Sequence, residues 1–95
     1  MRKVTRLIKE AFEQGKHLKV GNTSTDGRSV FLHGNEIIKR DLSGMVWFTF
    51  AGWGTSTTRE RIKGITGANV YQPKHEQYVY GKVTLDLHHW HHVRK

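Results

Sequence analysis

The 95 residues hold 36% hydrophobic side chains, ten aromatics (Trp 3, Tyr 3, Phe 4) and no cysteine. That is enough apolar material for one small core, so a single domain over residues 1–95 is expected. It excludes a disulfide scaffold and a thiolate metal site, and fits a reducing cytoplasm. No apolar run approaches the length of a membrane span, and the opening MRKVTRLIKE lacks the apolar stretch of a secretory leader, so no membrane partner is expected. The net charge is +8, unevenly spread: residues 1–20 carry +4, 21–54 are balanced, and 55–67 and 68–95 carry +2 each. An excess of this kind points to a polyanionic partner, nucleic acid or an acidic protein.

The first segment is helical. Val4, Leu7, Ile8, Ala11 and Phe12 follow i, i+3, i+4, i+7, i+8, the spacing of one helix face, and Gly15 is a stop. The opposite face carries Arg2, Lys3, Arg6, Lys9, Glu10 and Glu13, with Arg6–Glu10 and Lys9–Glu13 placed to pair at i, i+4. The charge order opposes the helix macrodipole, base at the N-terminus and acid at the C-terminus. A binding surface on that face would account for it.

A meander of strands follows. Asp26-Gly27 between KVGNTST and RSVFLH is a strong hairpin signal. HGN at 33–35 and LSG at 42–44 turn the chain twice more, into EIIKRD and then MVWFTFAGW. In that last strand Val46, Phe48 and Phe50 share one face, and Trp47, Thr49 and Ala51 the other. As the most apolar strand it is expected at the centre of the sheet. Val30 and Leu32 are expected to point inward.

A second helix starts within GTSTTRERIKG. Thr57 followed by Glu60 matches a capping box, Ile62 and Ile65 give the buried side, and Gly67 ends it. The helix start, with hydroxyls from Thr55, Ser56 and Thr58 and charges from Arg59, Arg61 and Lys63, is also a candidate anion site. Beyond it, residues 68–93 predict two or three strands, with turns at Pro73-Lys74 and Gly81-Lys82. The expected architecture is α+β: an antiparallel meander sheet of about five or six strands with an N-terminal helix and a short second helix packed on one face.

The tail LHHWHHVRK raises a metal hypothesis. On a strand, His89 and His91 share one face, and His88, Trp90 and His92 the other. Two ligands fall short of the four of a structural zinc, so His89 and His91 are weak metal candidates and no cofactor is expected. Trp90, beside Arg94 and Lys95, has the makings of a base-stacking platform. Catalysis is not expected: no Ser/His/Asp set, HExxH, P-loop or dinucleotide fingerprint is present, and Asp86 near His88 is a spacing common by chance.

The phrases GNTSTDGRSVFLHGNEI and AGWGTSTTRERIKGI, over roughly residues 20–67, resemble a group of short bacteriophage proteins. These pair an Asn-Thr-rich hairpin and a Leu-His-Gly-Asn turn with a Gly-Trp-x-Thr-x-Thr-Thr helix start and a nearby Arg. The resemblance implies action inside a bacterial host and transfers no catalytic residue. Where that group has Asn near the helix end, this chain has Lys63 or Gly64, and the His-rich tail is its own. The first functional expectation is low-specificity nucleic-acid binding through Arg2, Lys3, Arg6, Thr55, Thr58, Arg59, Arg61 and Lys63. The second is a regulator that docks on a host enzyme through Trp47, Trp53, Tyr78, Tyr80 or Trp90. A sheet covered on one face only also allows a homodimer.

Overall fold

A computed structural model describes residues 1–94. Helix α1 spans Lys3–Glu13 and helix α2 spans Ser56–Thr66. Between them run β1 (Leu18–Val20), β2 (Thr23–Thr25), β3 (Ser29–Leu32), β4 (Asn35–Arg40) and β5 (Val46–Phe48). After α2 come β6 (Val70–Tyr71), β7 (Gln77–Val79), β8 (Lys82–Thr84) and β9 (His91–His92). The class is α+β, as the apolar spacings predict.

The first five strands form an antiparallel meander, and β9 joins it, giving the order β1-β2-β3-β4-β5-β9. Three short strands, β6-β7-β8, make a separate antiparallel sheet. The expected central place of residues 46–51 is corrected. The middle belongs to β3 and β4, and β5 lies one strand from the edge. Its apolar run has another cause: after Phe48 the chain leaves the ladder, and both Phe48 and Phe50 enter the core, ring centroids 6.3 Å apart. The segment after α2 also yields four strands, not two or three, because three of them build their own sheet and the fourth, β9, closes the large one.

A single core gathers Ile8 and Phe12 from α1, Ile62 and Ile65 from α2, and Val30, Leu32, Ile38 and Phe48 from the large sheet. The predicted inward faces of both helices are therefore the observed ones. Of the two expected pairs on α1, Arg6–Glu10 forms at 3.5 Å with both side chains half exposed, and Lys9–Glu13 is not among the described ion pairs. An exposed i, i+4 pair of this type contributes about 0.3–0.5 kcal/mol.

The start of α2 differs from expectation by two residues. Thr55, not Thr57, is the cap: its Oγ1 accepts from the Thr58 N–H at 3.2 Å and meets the Thr58 hydroxyl at 2.9 Å. Glu60 does not reach back along its own helix. It accepts from Thr5 Oγ1 at 2.5 Å and pairs with Arg61. A carboxylate from α2 thus sits at the N-terminus of α1, which has no acid in its own first turn and no side-chain cap. This offsets the N-terminal half of the adverse charge order read from the sequence, because the missing negative charge comes from the neighbouring helix.

The two helices touch at Gly64. A Cβ there would lie 2.5 Å from Thr5 Cγ2. Thr5 is fully buried and bonded to Glu60 and Arg61, so it has nowhere to move. Gly64→Ala is expected to destabilise by about 1–3 kcal/mol through overpacking, although Ala is the better helix former by about 1 kcal/mol. Urea unfolding measures this. Trimming the opposing methyl with Thr5→Ser in the same chain is expected to recover most of the loss.

Candidate nucleic-acid interface

Cross-strand register builds the first part of the site. Lys39 on β4 pairs with Trp47 on β5, and Trp47 pairs with His92 on β9. These three side chains form a row on the side of the sheet opposite to Ile38 and Phe48. The Trp47 indole meets the His92 ring edge-on at 5.0 Å, and its Nε1 donates to Asp41 Oδ2 at 2.9 Å. Asp41 also accepts from the Ser43 hydroxyl, the Ser43 N–H and the Met45 N–H. The Ser43 hydroxyl first, then the Trp47 indole, hold its carboxyl down to about 2.

The small sheet and the tail supply the rest. Tyr80 occupies the β7–β8 turn at φ 50, followed by Gly81 at φ 81. Its hydroxyl accepts from the Arg94 N–H at 2.8 Å, and the Arg94 guanidinium lies over its ring at 4.4 Å. Trp90 carries the Lys39 ammonium over its face at 4.1 Å. Trp47, Tyr80 and Trp90, with Lys82, Arg94 and the tail histidines, line one groove of about 480 Å³. No carboxylate lines it. Aromatic faces with cations beside them are what a flexible polyanion with stackable bases requires.

His91 anchors this groove from below. Its ring stacks on Phe48 at 5.2 Å and meets His89 at 4.8 Å. Its Nε2 is buried and has no hydrogen-bond partner among the described residues. Burial first, and the neighbouring His89 second, push its pKa below the ordinary value of 6.5. The folded state therefore favours the neutral ring. The stability it contributes is fully present above pH 6.5 and is lost as pH falls below that value. A fall in thermal midpoint between about pH 7 and pH 5 is expected, and His91→Phe is expected to flatten it.

The structure redistributes the residues chosen from sequence. Arg2, Lys3 and Arg6 are exposed on α1, and Lys63 is exposed on α2. Lys63 shares a surface hollow with Met1, Glu60 and Gly64, so it joins the first turn of α1. Arg61 does not belong to this surface: it is 3% exposed and bonded to Thr23, Thr5, Glu60 and Asn22. Burial with four partners outweighs the outward position that a basic residue suggests. Thr58 is buried too, and Thr55 is spent on capping, so neither is a spare donor. Arg59 is half-buried, held by Gly54 O at 2.7 Å and by the side-chain oxygens of Gln72 and Gln77 at 2.7 and 3.0 Å.

Among the aromatics, Trp47, Tyr80 and Trp90 converge in the groove. Tyr78 instead stacks on Tyr71 at 5.1 Å in the small sheet, and Trp53 stands apart, 59% exposed. His89 and His91 are adjacent, but no group of three metal-ligating side chains occurs among the described residues. Residues 85–90 are not strand; Asp86 Oδ1 accepts the His88 N–H at 2.9 Å in a local turn. Lys95, placed beside Trp90 from sequence, lies outside the described residues. The sequence reading missed Lys39 and Lys82. Lys39 was within reach of it, because pairing the 35–40 and 46–48 strands in register sets Lys39 across from Trp47.

Of 16 Lys and Arg side chains in the sequence, those in described ion pairs are Arg6 and Arg61. No described helix is long and apolar enough to cross a membrane. Fold and surface together define a small basic α+β protein with an aromatic groove flanked by cations. The chain belongs to the Kyanoviridae Gp96 protein family, a bacteriophage family whose sequence model matches residues 1–92. No curated protein and no solved structure matches it.

Proposed function

We propose that the protein binds nucleic acid inside the bacterial host with low sequence preference, single strands before duplex, through the Trp47–Tyr80–Trp90 groove. The observation that supports this is the convergence of three aromatic rings with Lys82 and Arg94 along one groove, with Lys39 over the Trp90 face beside it; the carboxylate nearest in contact, Asp41, is engaged with the Trp47 indole N–H and the Ser43–Met45 turn. Unpaired bases stack on such rings at about 1–3 kcal/mol each, and the cations track the backbone. The exposed Arg2, Lys3, Arg6 and Lys63 add attraction of longer range.

Fluorescence anisotropy with labelled single-stranded and duplex oligonucleotides tests it at about 50 and 200 mM salt. Affinity is expected to drop steeply between the two. Trp90→Ala is expected to weaken single-strand binding by about 1–3 kcal/mol, and Lys82→Ala to reduce the salt slope by about one. No binding at the lower salt removes the proposal. A stoichiometric host protein that stays bound after nuclease treatment would support the regulator reading instead. Of the side chains named for that reading, Trp53 is the exposed one outside the groove, and Leu42 and Leu85 are exposed besides it.

A further inference from the structure

A second cleft, of about 590 Å³, lies where the β3–β4 turn faces the start of α2. Its floor is apolar, formed by the buried Leu32, Ile37 and Phe50. Its rim is polar but carries no Lys, Arg, Asp or Glu, in a chain of net charge +8. The rim groups are the His33 imidazole, the Asn35 carboxamide, the Trp53 indole and the Thr57 hydroxyl. Among the described residues, none of these four side chains is engaged in a hydrogen bond with another. Thr55 and Thr58 satisfy each other. We propose that this cleft takes one unpaired nucleobase, seated on the Trp53 indole with its polar edge toward Asn35 and Thr57.

Three observations carry the choice of ligand. The volume falls in the range of about 300–1,000 Å³ typical of small-molecule sites. The rim offers donors and acceptors without formal charge, so it suits a neutral planar ring with a hydrogen-bonding edge and does not suit a phosphate. A carboxamide presents a donor and an acceptor side by side, which is how Asn reads a base edge. The third observation is the turn itself. His33 and Gly34, at φ 51 and φ 80, make the two-residue hairpin turn between β3 and β4, and this turn brings an imidazole to the rim of the cleft.

The ligand class rests on the nucleic-acid reading, while the site can be tested without the groove. Nucleosides lack phosphate and can stack in the groove as well, so the signal is read from an indole that only the cleft contains. In Trp47→Phe/Trp90→Phe protein, Trp53 is the only indole left to report. Saturable quenching by adenosine, guanosine, cytidine or uridine is expected, nearly independent of salt. Asn35→Ala in the same background is expected to weaken it about tenfold, the size of one lost bidentate contact. Trp53→Ala in otherwise native protein is expected to lower affinity for an oligonucleotide about tenfold, with the salt slope unchanged. Absence of quenching up to nucleoside saturation, with oligonucleotide binding intact, overturns the cleft and leaves the groove standing. Equal quenching by toluene, which has a ring but no polar edge, also overturns it, because an apolar slot alone would then suffice. Quenching by nucleosides in a protein that fails to bind oligonucleotides supports the cleft and removes the groove.

Discussion

Arg61→Ala is expected to destabilise the protein by about 3–5 kcal/mol, the range for breaking a buried ion pair by removing one partner. The side chain is almost wholly enclosed. Its Nε donates to Thr23 Oγ1 at 2.9 Å, Nη1 to Thr5 Oγ1 at 3.1 Å and to Glu60, and Nη2 to Asn22 at 3.3 Å. One guanidinium therefore ties α2 to α1 and to β2. Its loss leaves the Glu60 carboxylate, only partly exposed, without its counter-charge. Burial alone would push the Glu60 pKa up, but the bonds from Thr5 and Arg61 and the Arg61 charge outweigh it and hold it low. That contribution is present above about pH 4.3 and is lost as pH falls through the depressed folded value. Without Arg61, its hydrogen bond and its charge no longer hold the Glu60 pKa down, and burial is opposed less. Urea midpoints measured at about pH 5 and pH 3 would show the native protein losing stability on acidification and the variant losing less. Arg61→Lys is expected to recover little, since an ammonium, with three donors, cannot serve the four acceptors that the planar guanidinium reaches. For a domain whose total stability is about 5–15 kcal/mol, the Ala variant stands near the edge of folding.

Phe48→Ala is expected to have an effect of similar size, about 3–5 kcal/mol, by a different route. Phe48 is fully buried, and three rings surround it: His91 stacked at 5.2 Å, Phe50 at 6.3 Å and Tyr80 at 6.4 Å. These come from the closing strand β9, the chain just after β5, and the turn of the small sheet. Truncation leaves a cavity at the seam between the two sheets. Calorimetry would show the lowered midpoint, and Phe48→Leu is expected to lose less because it fills part of the volume. Because Tyr80 and His91 also line the groove, Phe48→Leu is expected to weaken oligonucleotide binding at temperatures where it is still folded.

The parts of the fold that depend on local pattern were legible. The stripe Val4, Leu7, Ile8, Ala11, Phe12 marks α1, and the turns at 26–27 and 33–34 set the meander. Tertiary demand decided the rest. Thr55, Ser56, Thr57 and Thr58 can all cap a helix, so the sequence alone left the first residue of α2 open. Glu60 matches a capping box, yet the neighbouring helix competes for its carboxylate and wins. Arg61 looks like a surface cation because its uncharged hydrogen-bond partners, Thr23, Asn22 and Thr5, stand 38 to 56 residues away, and only its counter-charge Glu60 is adjacent. The tail strands are two or three residues long, too short for an alternating pattern to declare itself. The groove collects residues from β5, the β7–β8 turn and the tail. The cleft joins the β3–β4 turn to the residues before α2. Neither exists until the chain has folded, although most of their aromatic members were visible one by one.

The order of assembly follows from how the large sheet is closed. Strands β1 to β5 each pair with the next in the chain, so they can zip up through short loops. The last rung joins Trp47 to His92 and Val46 O to the Val93 N–H at 2.9 Å, across nearly half the polypeptide. That closure has the largest loop entropy to overcome and the fewest backbone bonds to hold it. In deuterium oxide the amide of Val93 is therefore expected to exchange by local opening, early, while those of Val30 and Ile38 wait for global unfolding. A groove floored by such a strand can breathe without loss of the fold.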